Sequence, residues 1–86
     1  MGNRDNKILV IDDEEIILKA VSRIASAEGF LVDSEANAFS ALKRISQENY
    51  SLILCDIMMP QMDGFAFLDE MQKRNILTPV IMITGY

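Results

Sequence analysis

Four short apolar runs alternate with three stretches of helical period along this chain. Lys7 to Ile11, KILVI, is β-branched and nearly all apolar, the pattern of a parallel strand covered on both faces. From Glu14 the period changes. Ile17, Val21 and Ile24 recur at helical spacing, acids fill the first turn, and Gly29 follows Glu28 as a stop, which predicts a helix near 14–28 buried through those three apolar residues. Phe30-Leu31-Val32 opens a weaker strand near 30–34. Asn37 is placed to cap a helix near 38–48 whose apolar face is Ala38, Ala41, Leu42 and Ile45, with Asn49 closing it. Ser51 to Ile57 reads as a third strand. After a loop, Phe65, Leu68 and Met71, with Phe67 alongside, predict a helix near 64–75, ending at Asn75. Thr78-Pro79 then introduces Val80-Ile81-Met82-Ile83, a fourth strand near 79–84, with proline tolerable at a strand's first residue.

The order βαβαβαβ predicts an α/β fold, a doubly wound parallel sheet with helices on both faces and right-handed crossovers. Ligands in such sheets bind beyond the carboxyl ends of the strands. That rule gathers Asp12 and Asp13 after the first strand, Asp56 at the end of the third and Thr84 at the end of the fourth on one edge. Asp56 is the odd member, because the run Leu52-Ile53-Leu54-Cys55 ends on a group that is costly to bury. Crowded carboxylates are costly too: two unit charges about 4 Å apart repel by about 4 kcal/mol at an effective dielectric of about 20. A divalent cation offsets that, and oxygen-only ligands suit Mg²⁺. Any one of these acids alone reads as a solvated strand-end cap. An adjacent pair plus a third acid on the same edge reads as a site.

Composition narrows the chemistry. The 86 residues allow one modest core, and half of them are apolar without any run near the roughly 18 residues of a membrane span. Residues 1–6 lack the apolar region of a signal peptide, and Asn6 stands where a myristoylation signal takes Ser or Thr, so a cytoplasmic address is expected. The absence of histidine excludes imidazole chemistry and Cys/His zinc sites, and Cys55, the single cysteine, reads as a small core residue. A net charge of −5 argues against nucleic acid as a partner, since a polyanion would be bound against the overall field.

The segments ILVIDDEE, LILCDIMMPQMDG and PVIMITGY resemble, in order and spacing, the receiver domain of two-component response regulators, the CheY-like family. The D-x-M-M-P-x-M-D-G loop is the specific part, and the resemblance covers nearly the whole chain, with 1–6 as an N-terminal extension and 7–86 as a partial receiver. It implies a flavodoxin-like fold in which Asp56 accepts a phosphoryl group from a phosphohistidine on a sensor histidine kinase or histidine phosphotransfer protein. By position, Asp13 and Asp56 look like direct Mg²⁺ ligands, the Met58 backbone carbonyl a third, and Asp12 a ligand through water. Thr84 matches the hydroxyl that bonds the phosphoryl group and couples it to the next loop. Such a domain is no enzyme in the ordinary sense, promoting only its own phosphorylation and dephosphorylation. Ile16 and Ala20, off the expected buried face of the first helix, match the family's docking surface for the phosphodonor.

The sequence departs from the family at its end. Receivers continue through a further helix, strand and helix, and that strand supplies a lysine to the phosphoryl group. Lys7 is no substitute, lying roughly 17 Å from Asp12 at the opposite end of the first strand. The reading is therefore a receiver lacking its last three elements, with Val80 to Thr84 as an apolar, uncharged sheet edge through which the chain is expected to self-associate. Two rivals stand beside it. A degenerate receiver serving only as a protein-interaction module would have no need of Asp12, Asp13, Asp56 and Thr84 together. A phosphatase with an aspartyl nucleophile usually has a second acid two residues further on, where this chain has Met58.

Overall fold

A computed structural model describes residues 6–59 and 61–83 of the chain. Four strands, β1 (Lys7–Ile11), β2 (Leu31–Glu35), β3 (Leu52–Asp56) and β4 (Val80–Ile83), alternate with three helices, α1 (Glu15–Ala27), α2 (Ala38–Ile45) and α3 (Gly64–Lys73). All neighbouring strands pair in parallel in the order β2-β1-β3-β4, so among the described residues β2 and β4 lie at the edges. This is the doubly wound α/β architecture predicted from the alternation of periods.

Register and strand alternation divide the sheet into two faces. Leu9, Ile11, Ile53 and Cys55 form one buried cluster with Ala38, Ala41, Leu42 and Ile45 of α2 and Phe67 and Met71 of α3. Each of those four strand residues is fully sealed. Ile8, Val10, Leu52, Leu54, Ile81 and Ile83 point the other way, towards α1, which rests mainly on β2 and β1. Cover on that face fades across the sheet: Ile8 and Val10 are buried, Leu52 and Leu54 only half-buried, and Ile81 is 52% exposed.

The caps explain where the helices begin. Asn37 Oδ1 accepts from the Ser40 amide at 2.8 Å and starts α2, and Asp63 Oδ1 accepts from the Ala66 amide at 2.9 Å and starts α3. Gly29, at φ 95°, ends α1 in the left-handed region, and Asn75, at φ 57°, closes the turn after α3. Asn49 does not close α2. The helix stops at Ile45, because Ser46 Oγ bonds back to the Leu42 carbonyl and the Gln47 and Glu48 amides both turn onto the Arg44 carbonyl, tightening the last turn.

Two helical faces differ from expectation. None of the α1 residues is fully buried, and Ile24 is 67% exposed; the half-covered stripe is Ile17, Leu18, Val21, Ser22 and Ala25. Among the described residues α1 is the helix on this face, and it lies along β2 and β1. In α3 the inward stripe is Gly64, Phe67 and Met71, with Leu68 half-buried and Phe65 turned out to solvent. Both stripes have helical spacing, and α3 takes the one that meets the α2 side of the sheet.

A polar network ties the β2 edge to α2. Tyr50 donates its hydroxyl to Asp33 at 2.6 Å, Arg44 Nε bonds Glu35 at 2.6 Å, and Lys7 pairs with Glu48 and Asp33. Inward-facing charges of this kind blunt an edge strand, and β4 carries none. Among the described residues no helix is long and apolar enough to cross a membrane.

Candidate functional site

At the carboxyl edge of the sheet, Asp12, Asp13 and Asp56 each bring a carboxylate oxygen to within 4.8 Å of the others. The fold does this simply: β1 and β3 are adjacent and in register, so Asp12 and Asp13, leaving β1, come beside Asp56, the last residue of β3. Asp12 and Asp56 are buried and Asp13 is exposed, which leaves the cluster one open side.

Each buried carboxylate has one oxygen held by backbone. Asp12 Oδ1 accepts from the Glu14 amide at 2.9 Å, and Asp56 Oδ1 accepts from the Met58 amide at 3.1 Å. The first bond orders the entry to α1, whose own N-cap residue, Glu14, makes no side-chain cap. The second fixes the rotamer of Asp56, and among the described residues no hydrogen bond engages its other oxygen. Burial pushes the Asp12 carboxyl above its ordinary range, the Glu14 amide partly offsets that, and the neighbouring charges of Asp56 and Asp13 add to the rise. An uncompensated repulsion of this kind favours a cation. The donors are all oxygens, converge from two strands and keep an open side, as Mg²⁺ requires when it retains several waters. The residues present fit that ion.

The remaining expected site residues fall as follows. Met58 is in the loop directly after Asp56, with its side chain 59% exposed, so any ligand role belongs to its backbone. Thr84 lies outside the described residues, as does Pro60. Asp63 is occupied in capping α3. Ile16 and Ala20 are both exposed near the start of α1. Met59 is buried and Met62 packs against the core, as packing residues should. Cys55 is sealed, and burial pushes its thiol up to about 12, which removes it from any chemistry at the site.

Sequence reasoning missed two features here. The bond Asp12 makes at the entry to α1 was foreshadowed by an acid two residues before Glu14, the N-cap position. The close approach of Gly64 to the base of the Asp56 loop had no local signal, because the atoms it meets lie seven to eighteen residues away in sequence.

Comparison with known proteins places this geometry. The family model for the response regulator receiver domain matches residues 8–86. The regulatory protein AtoC of Escherichia coli K12 is 36% identical over 81 residues, covering 94% of this chain and 18% of that protein. The receiver domain of the Francisella response regulator 1452 superposes with a TM-score of 0.88 at 34% identity, covering 93% of this chain and 66% of that one. The response regulator protein TrrA of Thermotoga maritima, in complex with Mg²⁺-BeF, gives a TM-score of 0.88 at 33% identity over 94% of this chain and 70% of that one. The chain thus spans about two thirds of these solved receivers and about a fifth of AtoC.

Proposed function

This chain belongs to the response regulator receiver family, and from that premise we propose that it is the phosphoacceptor unit of a two-component phosphorelay, with Asp56 taking the phosphoryl group from a phosphohistidine of a sensor histidine kinase or histidine phosphotransfer protein. The observation that carries the reading is the setting of Asp56, a carboxylate at the end of β3 with one oxygen held by the Met58 amide and with the carboxylates of two further acids within 4.8 Å. In the transfer, a lone pair of the free Asp56 oxygen attacks phosphorus and forms a P–O bond. The P–N bond breaks, its electron pair returns to the donor imidazole, and an acyl phosphate remains on Asp56.

Asp13, Asp56 and the Met58 carbonyl would hold Mg²⁺ directly and Asp12 through water, as the resemblance implies; the ion, when bound, screens the carboxylates from the incoming phosphoryl oxygens. The TrrA complex with Mg²⁺-BeF supports the same chemistry for a relative. Asp12 orders the start of α1 through the Glu14 amide, and Asp56 stays in its attacking rotamer through the Met58 amide. Thr84 is proposed to bond the phosphoryl group. Ile16 and Ala20 offer the exposed docking contact for the donor, and the unprotected β4 edge is proposed to pair with a second copy. The domain acts in the cytoplasm and turns over no separate substrate.

The test is phosphoryl uptake with its metal dependence. Mg²⁺ should raise the melting temperature, as any ligand selective for the folded state must, and Asp13→Asn should remove most of that gain. Label from a phosphorylated donor should enter the wild type and not Asp56→Asn. Mg²⁺ binding without uptake from any donor would leave an interaction module in place of a phosphoacceptor.

A further inference from the structure

We propose that Gly64 is a positioning residue of the acidic site, the space left by its missing side chain setting where the Asp56 carbonyl and the first residues of the following loop lie. The inference rests on the reading of Asp56 and the Met58 carbonyl as metal ligands. Gly64 opens α3 and is buried, and its amide donates to the Ile57 carbonyl at 2.9 Å, so it closes the base of the loop that runs from Ile57 to Asp63.

A glycine here has no conformational justification. Its φ lies outside the left-handed region, where Gly29 alone among the described glycines sits, and a helical position favours alanine over glycine. The reason is room. A Cβ at Gly64 would overlap Met82 Cε of β4 and would stand 3.0 Å from the Asp56 carbonyl oxygen and 3.1 Å from Ile57 Cα. The Met82 methyl is the end of a flexible side chain and can swing away. The other two atoms are backbone, one in the phosphoacceptor itself and one in the residue between it and Met58, and they relieve the contact only by moving a few tenths of an ångström.

That displacement is small for a fold and large for a metal site. Mg²⁺ demands near-ideal octahedral oxygens at about 2.0–2.1 Å, and a competent site holds its ligand distances to within about 0.2 Å. Ile57 is pinned on its other side by its amide bond to the Ile83 carbonyl at 3.0 Å, so a push at its Cα is passed along the chain to Met58. The Met58 amide, bonded to Asp56 Oδ1 at 3.1 Å, then reports the position of both.

Four forms of the chain test this: wild type, Gly64→Ala, Met82→Ala and the double variant. The double variant vacates the space of Met82 Cε but keeps both backbone contacts. Gly64→Ala should lower the melting temperature, and the double variant should regain much of it. The Met58 amide resonance should be displaced in both variants that include Gly64→Ala and unmoved in Met82→Ala. Mg²⁺ affinity, titrated in folded protein, should fall about tenfold or more in the same two variants, the scale of lost support around a metal ligand. If the Met58 amide and Mg²⁺ affinity return to wild type in the double variant, Gly64 merely clears room for Met82 and the proposal is overturned. Should the wild type itself bind no Mg²⁺, the metal reading fails, and the Met58 amide in the double variant alone decides whether Gly64 places the loop.

Discussion

On the α2/α3 side of the sheet, Leu9, Ile11, Ile53 and Cys55 are sealed beneath two helices, whereas on the α1 side the cover thins from buried Val10 through half-buried Leu54 to exposed Ile81. The strands are apolar on both faces, as parallel strands are when both faces are to be covered. Among the described residues the difference comes from the number of helices overhead. Two helices span β1, β3 and β4 on one side; α1 alone reaches mainly β1 and β2 on the other. The acidic site lies at the rim of the thinner side, since Asp56 continues the row of Leu52 and Leu54. Among the described residues, the acidic site thus borders the less covered face.

Unfolding in denaturant gives the strongest contrast between the faces. Phe67→Ala removes a side chain with no exposed surface from the sealed face and should cost about 3–5 kcal/mol, enough to unfold a marginal domain of this size. Ile24→Ala on α1 should cost no more than about 0.5 kcal/mol. Equal losses would abolish the distinction. Next in size is association at the open side's edge. Sedimentation at several concentrations should show self-association, and Ile81→Lys, placing a charge on the uncharged β4, should reduce it while changing the melting temperature little. A monomer at every concentration would show that the thin cover leaves no adhesive edge.

The smallest effect is at the rim itself. Because the Asp12 carboxyl is raised in the folded state, its charged form is disfavoured by folding; the cost is present above the folded value and is relieved as pH falls through it. Asp12→Asn keeps an acceptor for the Glu14 amide and removes the charge, so it should raise the metal-free melting temperature slightly at neutral pH and flatten its change on acidification. It should also weaken the response to Mg²⁺. A variant less stable than wild type without metal would show that the capping bond, not the repulsion, dominates at Asp12.

Local pattern carried much of this protein. Short apolar runs and stretches of period three to four are written in neighbouring residues, so the order of elements, the four-residue face of α2 and the Asn37 cap could be read directly. The gathering of Asp12, Asp13 and Asp56 followed as well, because parallel strands must end on the same edge. Tertiary structure decided what periodicity leaves open. Helices α1 and α3 each turn a face inward that is rotated from the expected one but shares residues with it, and how far it is rotated depends on what lies opposite. The holding of Asp56 by the Met58 amide depends on the path of a loop, and the need for glycine at 64 depends on atoms of β3 and β4 that only packing brings to it. Periodicity is a property of one segment, whereas cover and clearance belong to pairs of segments, and those exist only once the chain has folded.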